Sequence, residues 1–182
     1  MNFILDIDGV VLDLVSGTRR LAESSGVMMP KTFDYHDLSV NKAIYSYIDK
    51  YNKEFTKGNM YFDYPCIYDD FLDFLASAGM EKISAFVTAK HPKEIKILRS
   101  RELYGNLFRD IPVFFTSGGS KVDIINTLSK DTPAIFIDDN PNNVLQANAA
   151  CHNCSSYLMS RDPLVFDERM DEFLITNLME VL

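Results

Sequence analysis

Phe3-Ile4-Leu5-Asp6-Ile7-Asp8-Gly9-Val10-Val11 is the stretch of this sequence that decides the fold. Its first three residues are apolar, and a short apolar run of this kind predicts a buried strand. Two carboxylates, Asp6 and Asp8, follow the run at once. A carboxylate at the end of a buried strand is costly unless a cation, a hydrogen-bond network or a reaction uses it. The stretch therefore indicates both a buried strand and a functional site at its end.

A second acidic pair closes another apolar run. Ala134-Ile135-Phe136-Ile137 is followed directly by Asp138 and Asp139. Carboxylate oxygens suit hard divalent cations, and Mg²⁺ in particular takes oxygen ligands in octahedral geometry. Two hydrophobic strands that each end in paired aspartates therefore predict a site for such a cation.

The rest of the chain alternates strand and helix patterns. Repeating strand–helix units favour a parallel sheet with helices on both faces. We therefore predict an α/β fold with a doubly wound, mainly parallel five-stranded sheet and a Rossmann-like core. The tail at 166–182 carries apolar residues at helical spacing. Predicted strands lie at 3–5, 82–87, 111–115, 133–137 and 155–159, and predicted helices at 92–103, 121–128 and 141–150.

The stretch at 14–80 separates the first two strands and is far longer than a usual crossover. Its pattern is helical at 19–23, 41–55 and 67–76. We expect a small helical cap here, so that 1–13 and 81–182 form the core and 14–80 the insertion. The apolar stripe within 44–55 is either the cap's own core or a wall for an aromatic substrate group.

Composition narrows the function classes. The chain has 182 residues, and its 18 basic and 26 acidic residues give a net charge of −8, which counts against nucleic acid and anionic membranes as partners. No signal-peptide pattern opens the sequence, and no apolar run approaches the roughly 20 residues of a membrane span. Three cysteines are too few for a secreted disulfide scaffold, and Cys151-x-x-Cys154 lacks the second pair of a structural zinc site. We expect a cytoplasmic protein.

Further polar residues are expected at the same edge of the sheet, because ligands bind beyond the carboxyl ends of parallel strands. Thr88 ends the second predicted strand and Ala89 follows it, while Lys121 begins a helix. A hydroxyl, nearby backbone amides and an ammonium group at a helix N-terminus suit phosphate oxygens. Lys90 and His91 lie close by in the sequence, and either could contact a leaving group or the cap.

Each motif alone also has an ordinary structural explanation. Asp6 and Asp8 could form an Asx turn, and Asp139 or Asn140 could cap the helix that begins at Pro141. A threonine that closes a strand and a lysine that opens a helix are common. The joint pattern, in this order and with strands beneath it, favours phosphoryl-transfer chemistry.

Together the four motifs resemble those of the haloacid dehalogenase (HAD) superfamily of aspartate-nucleophile hydrolases, over most of the chain. The first motif, Asp-x-Asp-Gly after an apolar strand, is present at 4–11. The second, an apolar strand that ends in Ser or Thr, is 84–88, and the third is Lys121. The fourth, an apolar strand that ends in Asp-Asp, is 135–139. The presence of Asp8 favours the phosphatase branch over the dehalogenases, whose members lack an acid at that position.

This resemblance implies a role for each residue. Asp6 would be the nucleophile that forms an aspartyl-phosphate, and Asp8 the general acid and later the general base. Thr88, Ala89 and Lys121 would bind the phosphoryl oxygens. The Mg²⁺ cofactor would be held by Asp6, by the backbone carbonyl of Asp8 and by Asp138 or Asp139.

The predicted function is a Mg²⁺-dependent phosphatase whose partner is a small phosphorylated metabolite, acting as a monomer or homodimer. Residues 6–13 resemble the first motif of the 5′(3′)-deoxyribonucleotidases, which suggests a nucleoside monophosphate, although 88–91 depart from that subgroup's Thr-Ser-Pro. The alternatives are a phosphomutase, a non-catalytic regulator that binds a phosphometabolite, and a phosphatase of nucleic-acid ends, which the charge disfavours.

Overall fold

The computed structural model describes residues 1–13, 16–17, 19–20, 23, 26, 28, 67–90, 92, 95–96, 99, 102–161 and 168–182. The chain divides into two compact units. One comprises Met1–Val11 and Ile67–Leu182, and the other Leu12–Cys66. Most of the second unit, including the predicted helix at 41–55, lies outside the described residues.

A six-stranded sheet in the order β3-β2-β1-β4-β5-β6 forms the centre of the first unit, and all its neighbouring strands are parallel. The order reverses direction between β1 and β4, so the carboxyl end of β1 lies where ligands bind in doubly wound sheets. The strands are β1 (Asn2–Leu5), β2 (Ile83–Thr88), β3 (Val113–Phe115), β4 (Ala134–Asp138), β5 (Cys154–Met159) and β6 (Leu174–Ile175).

The α-helices of this unit follow the predicted alternation. At the start of α4, the side chain of Asn140 accepts a hydrogen bond from the amide of Asn142, and Pro141 occupies the first turn, where its missing N–H costs nothing. Pro92, Ile95, Lys96 and Arg99 are also helical. The helices are α1 (Asp69–Ala78), α2 (Glu102–Asp110), α3 (Val122–Ser129) and α4 (Pro141–Ala150), with 3₁₀ helices at Met80–Lys82, Glu168–Phe173 and Leu178–Val181.

Helices cover both faces of β1. Successive side chains of a strand point to opposite faces, and β1 is apolar on both. Ile4 packs in a buried cluster with Ile125 of α3 and Ala147 of α4. Phe3 instead contacts Phe74 of α1, edge to face with the ring centroids 4.8 Å apart. Burial on two faces explains why the strand is a continuous hydrophobic run.

Two details differ from the sequence-based expectation. The sheet has six strands instead of five, because the tail is not one helix: Leu174–Ile175 leaves the helical pattern and pairs with Leu158 and Met159 at the edge of β5. The second unit ends at Cys66, so α1 belongs to the first unit. The physical reason is that Phe71 and Phe74 of α1 are fully buried in the core of the first unit.

Among the residues that the structure describes, no helix combines the length and the apolar character needed to cross a bilayer.

Candidate active site

The carboxyl ends of three adjacent strands bring the predicted site residues together. Asp6 follows β1 directly and its amide donates to Ile137 O on β4 at 2.9 Å. Asp138 is the last residue of β4, and Thr88 is the last residue of β2 on the other side of β1. The parallel register of these strands therefore places their polar ends at one edge of the sheet, as the sequence predicted.

Asp6, Asp138 and Asp139 form a carboxylate cluster in which one oxygen of each lies within 4.8 Å of the others. Burial, together with the nearby charges of Asp138 and Asp8, raises the pKa of Asp6 to about 7 against the opposing effect of Lys121. Burial and the charges of Asp6 and Asp8 also raise the pKa of Asp139 well above its ordinary value. Such a cluster favours a bound proton or a cation.

The ammonium group of Lys121 joins two members of the cluster. Its Nζ lies 2.8 Å from Asp6 Oδ1 and 2.7 Å from Asp138 Oδ2. Burial by itself would lower the pKa of Lys121, but the two carboxylates outweigh that effect and raise it. Lys121 therefore stays charged, and it lies directly before α3 as the sequence predicted.

Asp138 is fully buried, and both of its oxygens are engaged by protein donors. Its Oδ1 accepts from the amide of Asn140 at 2.8 Å and from Asn143 Nδ2 at 3.1 Å. Its Oδ2 accepts from Lys121 Nζ at 2.7 Å and from Asn143 Nδ2 at 3.0 Å. Asn143 was not predicted as a site residue. The available signal was its place in the first turn of α4, directly after the acidic pair.

Asp8 is paired with Lys90, whose role the sequence left open. Lys90 Nζ lies 2.7 Å from Asp8 Oδ2, and only 2% of the lysine side chain is exposed. The backbone amide of Lys90 donates to the hydroxyl of Thr88 at 3.1 Å. Thr88 itself is buried, whereas Ala89 between the two is exposed.

Arg161 supports the turn that follows Asp8, and the sequence gave no indication of it. Its Nη2 donates to Val10 O at 2.9 Å and its Nε to Gly9 O at 3.3 Å. Its Nη1 donates to Asp70 Oδ2 at 2.7 Å. Arg161 thus fixes the backbone just beyond Asp8, and its charge acts on Asp139, whose pKa it lowers against the larger effect of burial.

The carboxylate cluster of Asp6, Asp138 and Asp139 has the donor chemistry of a divalent-cation site. The cluster offers hard oxygen donors, it is largely buried, and the edge as a whole holds two more carboxylates than ammonium groups. Mg²⁺ prefers such donors, and a cation would relieve the repulsion that raises the pKa of Asp6. The residues present therefore fit Mg²⁺.

Comparisons with known proteins concern the fold. No family model matches the sequence, and no curated protein matches it. Solved structures do match: a HAD-family hydrolase from Deinococcus radiodurans with bound phosphate and sodium superposes with a TM-score of 0.66, at 12% identity, over 99% of this chain and 92% of that one. The chain has the haloacid dehalogenase fold.

Two other structures with the HAD-type fold have similar scores. A HAD-hydrolase from Bacillus subtilis bound to magnesium has a TM-score of 0.58 and 14% identity, over 99% of this chain and 96% of that one. An archaeal β-phosphoglucomutase from a Pyrococcus species has a TM-score of 0.56 and 15% identity, over 98% and 93%. At such low identity the similarity establishes the fold and no activity.

Two remaining candidates from the sequence lie apart from this edge or outside the described residues. Cys151 follows α4, Cys154 begins β5, and both are free thiols. Neither belongs to a group of three potential metal ligands within the described part of the chain. The two cysteines lie on either side of the turn at 152–153, between helix and strand. His91 lies outside the described residues.

Proposed function

We propose that this protein is a Mg²⁺-dependent phosphatase that hydrolyses a small phosphomonoester through an aspartyl-phosphate. The observation that carries the proposal is the junction of Asp6, Asp138 and Lys121 at the carboxyl edge of the sheet, with two carboxylates held by one buried ammonium group. The HAD fold supports it, because that fold occurs in the phosphate-bound hydrolase from D. radiodurans.

Asp6 is proposed as the nucleophile. It follows the central strand β1, and its backbone is fixed by the hydrogen bond to β4. A carboxylate attacks a phosphate dianion only where the charges of both are balanced, and Lys121 lies 2.8 Å from Asp6 Oδ1. Lys121 can also interact with the oxygens of a transferring phosphoryl group, as can the hydroxyl of Thr88 and the backbone amide at Ala89.

Asp8 is proposed as the general acid that protonates the leaving oxygen and then as the base that activates water. It lies two residues beyond Asp6 on a turn that Arg161 holds. A phosphate monoester with a poor leaving group needs that proton, and a well-placed acid contributes about 10²- to 10⁴-fold.

Asp6, Asp139 and the backbone carbonyl of Asp8 are the proposed Mg²⁺ ligands. We favour Asp139 over Asp138 as the direct ligand, because both oxygens of Asp138 already accept hydrogen bonds from Lys121, Asn140 and Asn143. In this arrangement Asp138 holds Lys121 and the backbone at Asn140 in place through its hydrogen bonds. When bound, the cation would neutralise charge on the phosphoryl oxygens.

The proposed substrate is a small molecule, since a net charge of −8 disfavours polyanionic partners. Nucleoside monophosphates are the first class to test, because of the resemblance of residues 6–13 to the first motif of the deoxyribonucleotidases.

Hydrolysis of p-nitrophenyl phosphate tests the proposal. We expect turnover that requires Mg²⁺ and is lost in Asp6→Asn. The matched control is Asp131→Asn, which makes the same change in charge at an exposed turn and should keep wild-type activity. Equal activity of Asp6→Asn and Asp131→Asn would refute a role for Asp6 as nucleophile. Inactivity of the wild type toward this ester and a panel of sugar and nucleoside phosphates would favour the non-catalytic regulator.

A phosphomutase is the second candidate, because the Pyrococcus β-phosphoglucomutase has the same fold. The two functions differ in the fate of the phosphoryl group. A mutase returns it to a sugar phosphate and is activated by a sugar bisphosphate, whereas a phosphatase releases inorganic phosphate. Inorganic phosphate release measured beside product identity, with and without a hexose bisphosphate, separates them.

A further inference from the structure

The side chain of Arg161 holds two successive carbonyl groups of the turn that follows Asp8. Its Nη2 donates to Val10 O at 2.9 Å, and its Nε donates to Gly9 O at 3.3 Å. Gly9 has a φ of 72°, a backbone conformation that favours glycine. Peptide groups are planar, so the direction of the Asp8 carbonyl is linked to that of the two carbonyls that Arg161 holds. The Asp8 carbonyl is one of the proposed ligands of the cation.

The same guanidinium group contacts the chain where it returns from the second unit, Leu12–Cys66. Its central carbon lies 4.0 Å from the centroid of the Tyr68 ring, a cation–π contact. Its Nη1 donates to Asp70 Oδ2 at 2.7 Å. The amide of Tyr68 in turn donates to Val11 O at 3.1 Å. Arg161 therefore contacts the first unit on both sides of the insertion.

These contacts leave the guanidinium group little freedom. All three of its nitrogens donate to an oxygen: Nε and Nη2 to the turn, and Nη1 to Asp70. Because the group is planar and rigid, it cannot rotate without breaking at least one of these hydrogen bonds. Asp70 is held as well, since its Oδ2 also accepts from the amide of Leu178 at 2.9 Å. The turn after Asp8 is thus fixed to a rigid support.

The charge of Arg161 cannot be what favours a cation in the site. That charge acts on Asp139, the acid proposed as a direct ligand. A positive charge near a cation site repels the cation, so by charge alone Arg161 would weaken metal binding. Any favourable effect of Arg161 on the cation must therefore come from the position that its hydrogen bonds give to the turn.

We propose that Arg161 is a positioning residue of the cation site. Its hydrogen bonds to Gly9 O and Val10 O hold the turn so that the backbone carbonyl of Asp8 can serve as a ligand. The inference rests on the proposed function, through the cation site. Residues that orient metal ligands typically contribute about 10- to 100-fold to metal affinity. Loss of the charge alone would raise the affinity, so the sign of the change separates the two effects.

Binding of Mn²⁺ in place of Mg²⁺ tests this role without any substrate, with free Mn²⁺ measured by electron paramagnetic resonance. We expect Arg161→Met to lower the affinity about 10-fold. Asp70→Asn is the matched control, because it breaks the same ion pair and leaves the two carbonyl hydrogen bonds in place. It should change the affinity by less than about 3-fold. Arg161→Lys retains the charge but not the planar fork, and should lower the affinity more than about 3-fold.

The affinities are measured well below each variant's unfolding transition, so a loss of stability alone does not change them. If Arg161→Met does not fold, Arg161→Lys carries the test. An unchanged or higher affinity in either folded variant would overturn the positioning role. An equal loss in Asp70→Asn would also overturn it, because the ion pair would then be responsible.

Failure of the proposed function gives a different result. A wild type that does not bind Mn²⁺ would refute the cation site, and both the proposed function and this inference with it. A wild type that binds Mn²⁺ and hydrolyses no phosphate ester would refute the phosphatase, whereas a lower affinity of Arg161→Met would still support the positioning role.

Discussion

The side-chain amide of Asn143 donates to both oxygens of Asp138, at 3.1 Å to Oδ1 and 3.0 Å to Oδ2. With the amide of Asn140 and the ammonium group of Lys121, it fixes a carboxylate that has no contact with water. Asp138 thus orders the site through its hydrogen bonds, and the adjacent acid, Asp139, is the proposed ligand.

Asn143→Ala should weaken the apparent affinity for Mg²⁺ about 10-fold, because partners behind a metal site typically contribute 10- to 100-fold. The physical reason is that Asp138 would lose one donor and no longer hold Lys121 in place. The measurement is the Mg²⁺ concentration that gives half-maximal phosphatase activity. Asn106→Ala, at an exposed position of α2, is the matched control. An unchanged Mg²⁺ dependence would show that Asn143 plays no part in the site.

The raised pKa of Asp6 predicts that Mg²⁺ stabilises the protein more at high pH than at low pH. Because burial and acidic neighbours raise this pKa from 3.8 to about 7, the folded protein binds more protons than the unfolded chain between these values. The stability of the metal-free protein therefore falls as pH rises through that window. Mg²⁺ competes with the proton, so its stabilising effect grows over the same range.

Thermal unfolding with and without Mg²⁺, at about pH 5.5 and about pH 8, measures this effect. We expect the larger increase in Tm at the higher pH. Asp6→Asn removes one titrating group and one proposed ligand of the cation, so it should reduce the difference between the two pH values, and Asp139 should account for what remains. An equal increase at both pH values in the wild type would contradict the assignment of Asp6 to the cation site.

The sheet and the polar ends of its strands could be predicted because both depend on local sequence. Short apolar runs that lead into Asp6, Thr88 and Asp138 fix the strands, and a parallel arrangement then brings their ends together. The tail could not be predicted in this way. Its apolar residues have helical spacing, but Leu174 and Ile175 instead form a strand that pairs with the edge of β5.

The supporting residues of the site could not be predicted, because their contacts join distant parts of the chain. Arg161 reaches Gly9 across 152 positions of sequence. The pairing of Lys90 with Asp8 likewise depends on the neighbouring positions of β2 and β1, and no spacing in the sequence encodes it. Motifs identify the groups proposed to do chemistry, whereas the groups that orient them emerge only from the tertiary structure.

The cysteine pair should be unreactive in the folded protein. Burial and the neighbouring Cys151 raise the pKa of the Cys154 thiol to about 11, and burial with the charge of Asp123 raises the pKa of Cys151. Since the thiolate is the nucleophile, Cys154 should react about 100-fold more slowly with iodoacetamide at neutral pH than a free thiol does. A Cys66→Ser background isolates the pair, and the urea-unfolded protein supplies the reference rate. Native alkylation as fast as in urea would argue against this environment.

Arg161 and Asp70 should be strongly coupled in stability. Their ion pair, at 2.7 Å, is largely buried, and Asp70 Oδ2 also accepts from the amide of Leu178 at 2.9 Å. Removing one partner of a buried pair leaves the other charge without compensation, so Arg161→Met should lower the free energy of unfolding by about 3 kcal/mol. Arg109→Met, at an exposed position of α2, should cost well under about 1 kcal/mol and serves as the control.

A double-mutant cycle distinguishes this pair from the other contacts of Arg161. Urea unfolding of Arg161→Met, Asp70→Asn and the double variant should give a coupling energy above about 1 kcal/mol. The reason is that each single change leaves the other residue of the pair buried without its ionic partner. Strictly additive effects would mean that Arg161 acts through the carbonyls of Gly9 and Val10 instead. In that case Arg161→Met should also lower phosphatase activity, and this loss, expressed as a free energy, should exceed the loss in the free energy of unfolding. The reason is that those carbonyls belong to the turn that follows Asp8.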